Sequence, residues 1–165
     1  MCCQSQWIAR SSERAWNRIM AIVFEGKANV FTVDVQTVTC TVNLVGVMGA
    51  GVAKEYKRRY PEAFERYKVA CNSGFQIGQL LLQRLNDGRL GLCFPTKKHW
   101  RNSSEIGWIE QGLQKLLLTY KEKGITSLAI TPLGCGNGGL DYQSQVRPIM
   151  FKYLNQMDIP VYICL

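Results

Sequence analysis

The sequence lacks several features that define common protein classes. No apolar run is long enough to cross a bilayer, and the first nineteen residues contain no apolar stretch of signal-peptide length. None of the seven cysteines belongs to a C-x-x-C pair, which disfavours a structural zinc site and favours a reduced intracellular protein. We therefore expect a cytoplasmic protein with no membrane association, no metal ion and no cofactor.

Two common nucleotide-binding motifs are also absent. The glycines Gly46, Gly49 and Gly51 have the spacing G-x-x-G-x-G instead of the dinucleotide fingerprint G-x-G-x-x-G. No Gly-Lys-Ser/Thr of a P-loop follows them, and the chain has no internal repeat or low-complexity segment. A nucleotide site must therefore use another loop arrangement.

Acidic residues are scarce relative to basic ones. Twelve Asp and Glu stand against twenty Lys and Arg, which leaves a net charge of +8. Such an excess attracts polyanions such as phosphates and nucleic acid, although a generally basic surface explains the charge equally well. The charge does not identify the polyanion.

The length of 165 residues and the 47% hydrophobic content predict one compact domain. Met20 is followed at once by a strand-like segment, so we place the domain at residues 20–165. Residues 1–19 are predicted to be a dispensable N-terminal extension or the product of an early start codon.

Strand and helix patterns alternate along the domain. Asn86-Asp87-Gly88 is a turn signal that predicts an antiparallel hairpin, and Ser103 or Ser104 can cap the helix that follows it. This alternation predicts an α/β fold with a mixed sheet sandwiched between helices and a ligand at the carboxyl ends of its parallel strands. Strands are predicted at 21–24, 38–47, 80–85, 90–94, 125–131 and 161–165, and helices at 52–60, 62–71, 106–120 and 146–157.

Two glycine-rich loops each connect a buried strand to a helix. One contains Gly46, Gly49 and Gly51, and the other spans 133–139. Without Cβ atoms, backbone amides can approach an anion at a helix N-terminus. Either loop alone is compatible with an ordinary tight turn, but together they can hold a diphosphate and its two riboses.

Three segments resemble known macro domains: residues 42–53 (VNLVGVMGAGVA), 94–101 (FPTKKHWR) and 132–142 (PLGCGNGGLDY). The resemblance covers about residues 21–165. It is specifically to the branch of the DarG-type antitoxins, which reverse ADP-ribosylation of thymidine in single-stranded DNA. A neighbouring branch, the terminal ADP-ribose protein glycohydrolases, shares the Thr-Lys-Lys segment.

The resemblance implies that Lys97 is catalytic and that Asn43 orients the ribose next to the scissile bond. A lysine amine there can attack the anomeric carbon or protonate the leaving base. The alternative for Lys97 is one member of a solvated lysine pair, and the alternative for Asn43 is a cap at the end of a strand. Lys98 is a weaker candidate because neighbours on an extended segment point to opposite faces, and His99 is expected to be packed or solvated.

Further ADP-ribose contacts are implied near the adenine, in both glycine loops and beside the catalytic lysine. These residues are Asn29, Val30, Gly46, Val47, Met48, Gly49, Ala50, Gly51, Val52, Thr96, Leu133, Gly134, Cys135, Gly136, Asn137, Gly138, Gly139 and Leu140.

The chain departs from the family pattern at three positions. Ala28 replaces a usual glycine and Cys40 a common asparagine, which weakens the adenine assignment. Gly138 stands where the protein glycohydrolases have a catalytic aspartate, which favours the DNA-directed branch. Asp141 is a candidate substitute carboxylate.

Nucleic-acid contacts are predicted for Lys54, Arg58, Trp100 and Arg101. Tyr56 and Tyr60 interrupt the basic stretch and could stack on bases; the competing interpretation is a solvated helix face with tyrosines in the core.

The expected function is hydrolysis of ADP-ribose from thymidine in DNA by a monomer. By resemblance, a cognate ADP-ribosyltransferase toxin is a partner. Because the sequence ends with the domain, we expect a free-standing enzyme without a toxin-binding domain. The alternatives are a non-catalytic ADP-ribose-binding module and a hydrolase of protein-linked or small-molecule ADP-ribose esters.

Overall fold

A computed structural model describes residues 22–165 of the protein. The predicted extension at 1–19 and the first two residues of the predicted domain lie outside the described residues.

Six strands form one mixed sheet in the order β1-β6-β5-β2-β4-β3. All neighbouring pairs are parallel except β3 and β4, which form the antiparallel hairpin predicted around Asn86-Asp87-Gly88. The predicted α/β fold with a mixed sheet is thereby confirmed. The strands are β1 (Val23–Gly26), β2 (Thr37–Val42), β3 (Leu81–Arg84), β4 (Leu90–Pro95), β5 (Leu128–Ile130) and β6 (Val161–Cys164).

Helices cover both faces of this sheet. The helices are α1 (Gly51–Arg59), α2 (Pro61–Asn72), α3 (Ile106–Thr119) and α4 (Arg147–Leu154), the last preceded by a π-helical turn (Tyr142–Val146). Side chains of α1 and α2 share one buried cluster with Cys93, and those of α3 and α4 share the other with Leu92 and Phe94. Successive residues of β4 thus point to opposite faces, as strand geometry requires.

The start of α3 corrects one prediction. Neither Ser103 nor Ser104 caps this helix; Glu105 occupies the N-cap position, and no side chain in the described part of the protein bonds to the helix start. Ser104 is instead held by its backbone, whose N–H donates to Gly138 O over 2.9 Å. The bond to a distant loop therefore decides where Ser104 lies.

Two glycines of α3 should respond to alanine in opposite directions. A Cβ at the buried Gly112 would lie 2.3 Å from Cζ of the fully buried Phe94 ring, whereas no described atom lies within 4 Å of a Cβ at the exposed Gly107. We expect Gly112→Ala to lower the free energy of unfolding by about 1–3 kcal/mol through overpacking. Gly107→Ala should raise it by roughly 0.4–1 kcal/mol by restricting the unfolded chain. Calorimetric unfolding of both variants measures this difference, and equal shifts would contradict the packing of Phe94 on α3.

Candidate functional site

The strand order brings three chemically distinct segments together. Strands β5, β2 and β4 are neighbours and parallel, so their carboxyl ends meet at one edge of the sheet. Loop 2 (residues 131–141) follows β5, loop 1 (residues 43–50) follows β2, and Lys97 comes two residues after β4. The predicted convergence of the two glycine loops at this edge follows from that order.

Asn43 braces loop 1 from within. Its side chain is buried; Nδ2 donates to Val47 O over 2.8 Å, and Oδ1 accepts from the backbone N–H groups of Val45 (3.1 Å) and Val47 (3.3 Å). These bonds turn the chain out of the sheet, so β2 ends at Val42 although the apolar run continues to Val47. The structure therefore shows Asn43 in the strand-end role that was the alternative interpretation of this residue. One Nδ2 hydrogen has no partner in the described chain, which leaves it available to a ribose hydroxyl.

Tyr67 of α2 completes the brace. Its buried hydroxyl lies 2.7 Å from Asn43 O and 2.9 Å from Asn43 Oδ1. Burial raises the pKa of this hydroxyl, so it remains a donor. The sequence pattern marked Tyr67 only as a helical residue, because nothing local reveals a bond across 24 positions.

Removing this hydroxyl should loosen loop 1. We expect Tyr67→Phe to lower the free energy of unfolding by about 1–3 kcal/mol, since Asn43 O loses a buried donor. Tyr162→Phe is the matched control, because the half-buried Tyr162 ring stacks on Phe24 at the sheet edge. Thermal unfolding compares the two, and a Tyr67→Phe protein as stable as the Tyr162→Phe protein would argue against the brace.

The predicted contacts of loop 1 lie on the turn into α1. Gly46 has φ +82° and packs against Lys68 of α2, while Gly51 has φ +55° at the first position of α1. The amides at the beginning of a helix have no carbonyl partner within it and carry partial positive charge. Gly46, Val47, Gly49, Ala50, Gly51 and Val52 reach the surface, whereas Met48 is buried.

Loop 2 offers a second set of free amides. Gly134 and Gly139 have φ values of +72° and +77°, and Gly134 O accepts from Leu140 N over 3.1 Å. Within residues 22–165, no backbone carbonyl accepts from the N–H groups of residues 135–138. Free amides on a glycine loop form an anion-binding concavity. Burial raises the pKa of the Cys135 thiol in this loop to about 11, so it remains protonated at neutral pH.

Gly138 has no room for a side chain. A Cβ there would lie 2.2 Å from Gly134 O and 2.4 Å from Ser104 Oγ. The Gly138 carbonyl accepts a hydrogen bond from Ser104 N, and this bond attaches loop 2 to the segment just before α3. This crowding is a physical reason for glycine at position 138.

Lys97 reaches from β4 to loop 2. The residue is 9% exposed, and Nζ donates to Asn137 O over 2.6 Å and to Trp100 O over 3.3 Å. The buried Thr96 precedes it and bonds to Val42 O, which continues the β2–β4 ladder by one residue. In contrast, Lys98 is exposed and lies over the Trp108 ring, as expected for neighbours on an extended segment.

An aromatic stack lies directly after the lysines. The Trp100 ring is 46% exposed and stacks on His99, with ring centroids 5.4 Å apart. The Arg101 guanidinium lies 4.6 Å from the Trp100 ring centre, and Arg101 N donates to His99 Nδ1. His99 is therefore engaged in packing and in a backbone bond, as the sequence suggested.

Asn29 and Val30 follow β1 at the same carboxyl edge. Asn29 is exposed, and its Oδ1 accepts from Phe31 N over 2.9 Å. Val30 is buried in the cluster beneath α1 and α2. Asn29 is therefore distant from loop 1 in the sheet order, because β6 and β5 lie between β1 and β2.

The basic stretch on α1 divides into a core side and an open side. Tyr56 and Tyr60 are buried, so the suggestion that they stack on bases is wrong and the core interpretation is confirmed. Lys54 and Arg58 are exposed along a groove of about 760 Å³ that begins at Gly49 and Gly51 and runs between α1 and α2.

The Asp141 side chain caps the π-helical turn. Its carboxylate accepts from the N–H and hydroxyl of Ser144 and begins the π-helical turn, and these bonds lower the pKa of the carboxyl group. A substitute catalytic role for Asp141 would require breaking that cap. Among residues 22–165, no three His, Cys, Asp or Glu side chains are grouped to hold a metal ion. No helix in the same range has the length and apolarity of a membrane span.

The protein is an α/β domain with a six-stranded mixed sheet and helices on both faces. Two glycine loops and the buried Lys97 lie at the carboxyl edge of this sheet. The macro domain family profile matches residues 39–149. The chain belongs to the macro domain family.

Similar proteins come from several bacteria. A Mycobacterium tuberculosis protein named DNA ADP-ribosyl glycohydrolase is 39% identical over 145 residues, covering 83% of this chain and 41% of the relative. A Thermosipho africanus protein, named a DNA ADP-ribosyl transferase-DNA ADP-ribosyl glycohydrolase fusion protein, is 39% identical over 158 residues, covering 84% and 40%. The chain therefore spans about two fifths of the length of these curated relatives.

The macrodomain of Thermus aquaticus DarG matches the fold with a TM-score of 0.82 at 35% identity, covering 88% of this chain and 99% of that one. Thermosipho africanus DarTG, solved in complex with ADP-ribose, also gives 0.82, at 37% identity over 89% of this chain and 42% of the other.

Proposed function

We propose that this chain is an ADP-ribosyl glycohydrolase that removes ADP-ribose from thymidine in single-stranded DNA. The observation that carries the proposal is the buried Lys97 amine, which donates to loop 2 at the sheet edge where both glycine loops begin. The free amides of these loops suit a diphosphate. The name of the Mycobacterium tuberculosis relative and the ADP-ribose in the Thermosipho africanus complex support the same assignment.

In this proposal ADP-ribose lies along the carboxyl edge of the sheet. The adenine lies near Asn29 and Val30, and the diphosphate lies between the start of α1 and the free amides of loop 2. The distal ribose faces Asn43 and Thr96, so that its anomeric carbon is next to Lys97. Both the helix N-terminus and the amide cluster stabilise the charge of the diphosphate.

Lys97 can act on the bond between the anomeric carbon and the thymine base. Two of its N–H groups donate to protein carbonyls, which holds the group in place and leaves the third hydrogen of the ammonium for the leaving base. Water then adds to the anomeric carbon and returns a proton to the Lys97 amine, and the products are free ADP-ribose and unmodified thymidine. In the alternative, the neutral amine attacks the anomeric carbon and displaces the thymine base, which takes up the proton that the amine loses. Water then breaks the bond between Lys97 and the sugar, which releases ADP-ribose and restores the free amine.

Two surfaces can hold the DNA strand next to the site. Trp100 and Arg101 offer an exposed aromatic face and a guanidinium directly after Lys97, which suits stacking on an unpaired base. Lys54 and Arg58 line the groove that leaves loop 1, which suits contacts to phosphates. We also propose an ADP-ribosyltransferase as the partner that produces the substrate, since the Thermosipho africanus relative is named as a fusion with one.

The test is release of free ADP-ribose from a thymidine-ADP-ribosylated single-stranded oligonucleotide, with ADP-ribose binding measured by calorimetry. Parallel reactions use protein-linked ADP-ribose and an acetyl ester of ADP-ribose. Turnover of the oligonucleotide alone supports the proposal. Turnover of only the protein-linked or the ester substrate would assign the enzyme to that linkage instead. Binding without turnover of any substrate would make the chain a binding module, and absent binding would overturn the site assignment.

A further inference from the structure

Ser104 carries a buried hydroxyl that the proposed reaction has not used. The residue lies between the Lys97 segment and α3, beneath loop 2, and is 5% exposed. Its Oγ has no hydrogen-bond partner anywhere in residues 22–165. A buried polar group without a partner is costly and rare in native structures, so this hydroxyl calls for a specific partner in another state of the protein.

The hydroxyl points into loop 2. A Cβ built on Gly138 would lie 2.4 Å from Ser104 Oγ and 2.2 Å from Gly134 O, so the hydroxyl and this carbonyl flank the same small space. Gly134 O accepts one hydrogen bond, from Leu140 N, and a carbonyl oxygen has a second lone pair. A modest closing of the loop would bring the two groups into hydrogen-bond contact.

The same loop segment holds the catalytic candidate. Asn137 O accepts from Lys97 Nζ, and the next carbonyl, Gly138 O, accepts from Ser104 N. Two consecutive carbonyls of loop 2 are therefore attached to one stretch of chain, residues 97–104. A hydrogen bond added at Ser104 would fix the peptide that positions the Lys97 amine.

We propose that Ser104 is a positioning residue whose hydroxyl donates to Gly134 O when loop 2 closes over bound ADP-ribose. The inference rests on the proposed function, because it requires ADP-ribose to bind at loop 2. Ser104 acts through the loop and does not touch the substrate. A side chain at position 138 would displace the Ser104 hydroxyl, so the glycine at this position leaves room for it.

Ser104→Ala removes the hydroxyl and keeps the backbone bond to Gly138. In the ligand-free protein it removes only an unpaired group, so the Tm is expected to be unchanged or higher. In the bound protein it removes a hydrogen bond, so the Kd for ADP-ribose should rise about five- to tenfold. The kcat for ADP-ribose release should fall as well. Ser104→Cys, with a weak donor of similar size, should give intermediate values, and the exposed neighbour Ser103→Ala should behave as wild type.

Calorimetry and thermal unfolding of the full chain separate the outcomes. A lower Tm of ligand-free Ser104→Ala with unchanged ADP-ribose affinity would show a purely structural role and overturn the inference. Wild-type affinity and kcat in Ser104→Ala would overturn it too. If the wild-type protein fails to bind ADP-ribose, the proposed function fails first and takes this inference with it.

Discussion

Replacing Lys97 with alanine should reduce ADP-ribose release from the modified oligonucleotide by about 10²- to 10⁴-fold, the usual contribution of a positioned acid or base. The structure buries this amine at the carboxyl edge of the sheet, where it donates to Asn137 O of loop 2 and to Trp100 O. Alanine removes the proton donor and leaves the loop amides in place. The Kd for ADP-ribose, measured by calorimetry, should therefore stay within about tenfold of wild type, a change of at most about 1.4 kcal/mol, because Lys97 donates to protein carbonyls and the loop amides that hold the diphosphate remain.

The matched control is the next residue. Lys98 has the same side chain and the same charge but is exposed over the Trp108 ring. Lys98→Ala should retain turnover within about twofold, as surface substitutions away from a site have small effects. Equal losses in the two variants would point to general attraction of the DNA strand by positive charge. A Lys97→Ala protein with full turnover would remove the amine from the mechanism.

Much of the fold could be predicted because its signals are local. The Asn86-Asp87-Gly88 turn fixed the hairpin, and the alternation of short apolar runs with helical patterns indicated the layered sheet. Element ends were less accurate. The predicted strand at 38–47 ends at Val42, because Asn43 uses its side chain to turn the backbone, and no periodicity records that bond.

The site also has some features that local sequence signals reveal and others that they do not. The glycine loops are visible in sequence because positive φ and free amides require glycine at particular positions. The supports of those loops are not visible. Tyr67 reaches Asn43 from a helix, and Ser104 reaches Gly138 from the turn before another helix. Each contact joins segments that are distant in sequence, and a serine before a helix locally suggests a cap.

Strand order also explains how Lys97 becomes part of a loop site. It follows a strand whose neighbours are β3 and β2, and loop 2 follows β5 on the far side of β2. The lysine reaches Asn137 O because loop 2 extends to the segment that follows β4, where Ser104 N also donates to Gly138 O.

The second large effect is expected at Gly138. In the protein glycohydrolase branch that the sequence also resembles, an aspartate occupies this position. Here a Cβ would lie 2.2 Å from Gly134 O, so Gly138→Asp must displace the backbone of loop 2. We expect the free energy of unfolding to fall by about 1–3 kcal/mol from overpacking. The Kd for ADP-ribose should rise about 100-fold, equivalent to roughly 2.7 kcal/mol, because the free amides of the loop lose their arrangement.

Two variants separate crowding from charge. Gly138→Ala adds the Cβ without a carboxylate and should show most of the loss of stability. Gly136→Asp adds the carboxylate in the same loop at a position where no described atom lies within 4 Å of a Cβ, and should leave the Tm of the free protein unchanged. Thermal unfolding and calorimetric titration of the three proteins measure both effects. If Gly138→Asp kept wild-type stability and gained turnover of protein-linked ADP-ribose, the crowding at Gly134 O would not be what reserves this position for glycine.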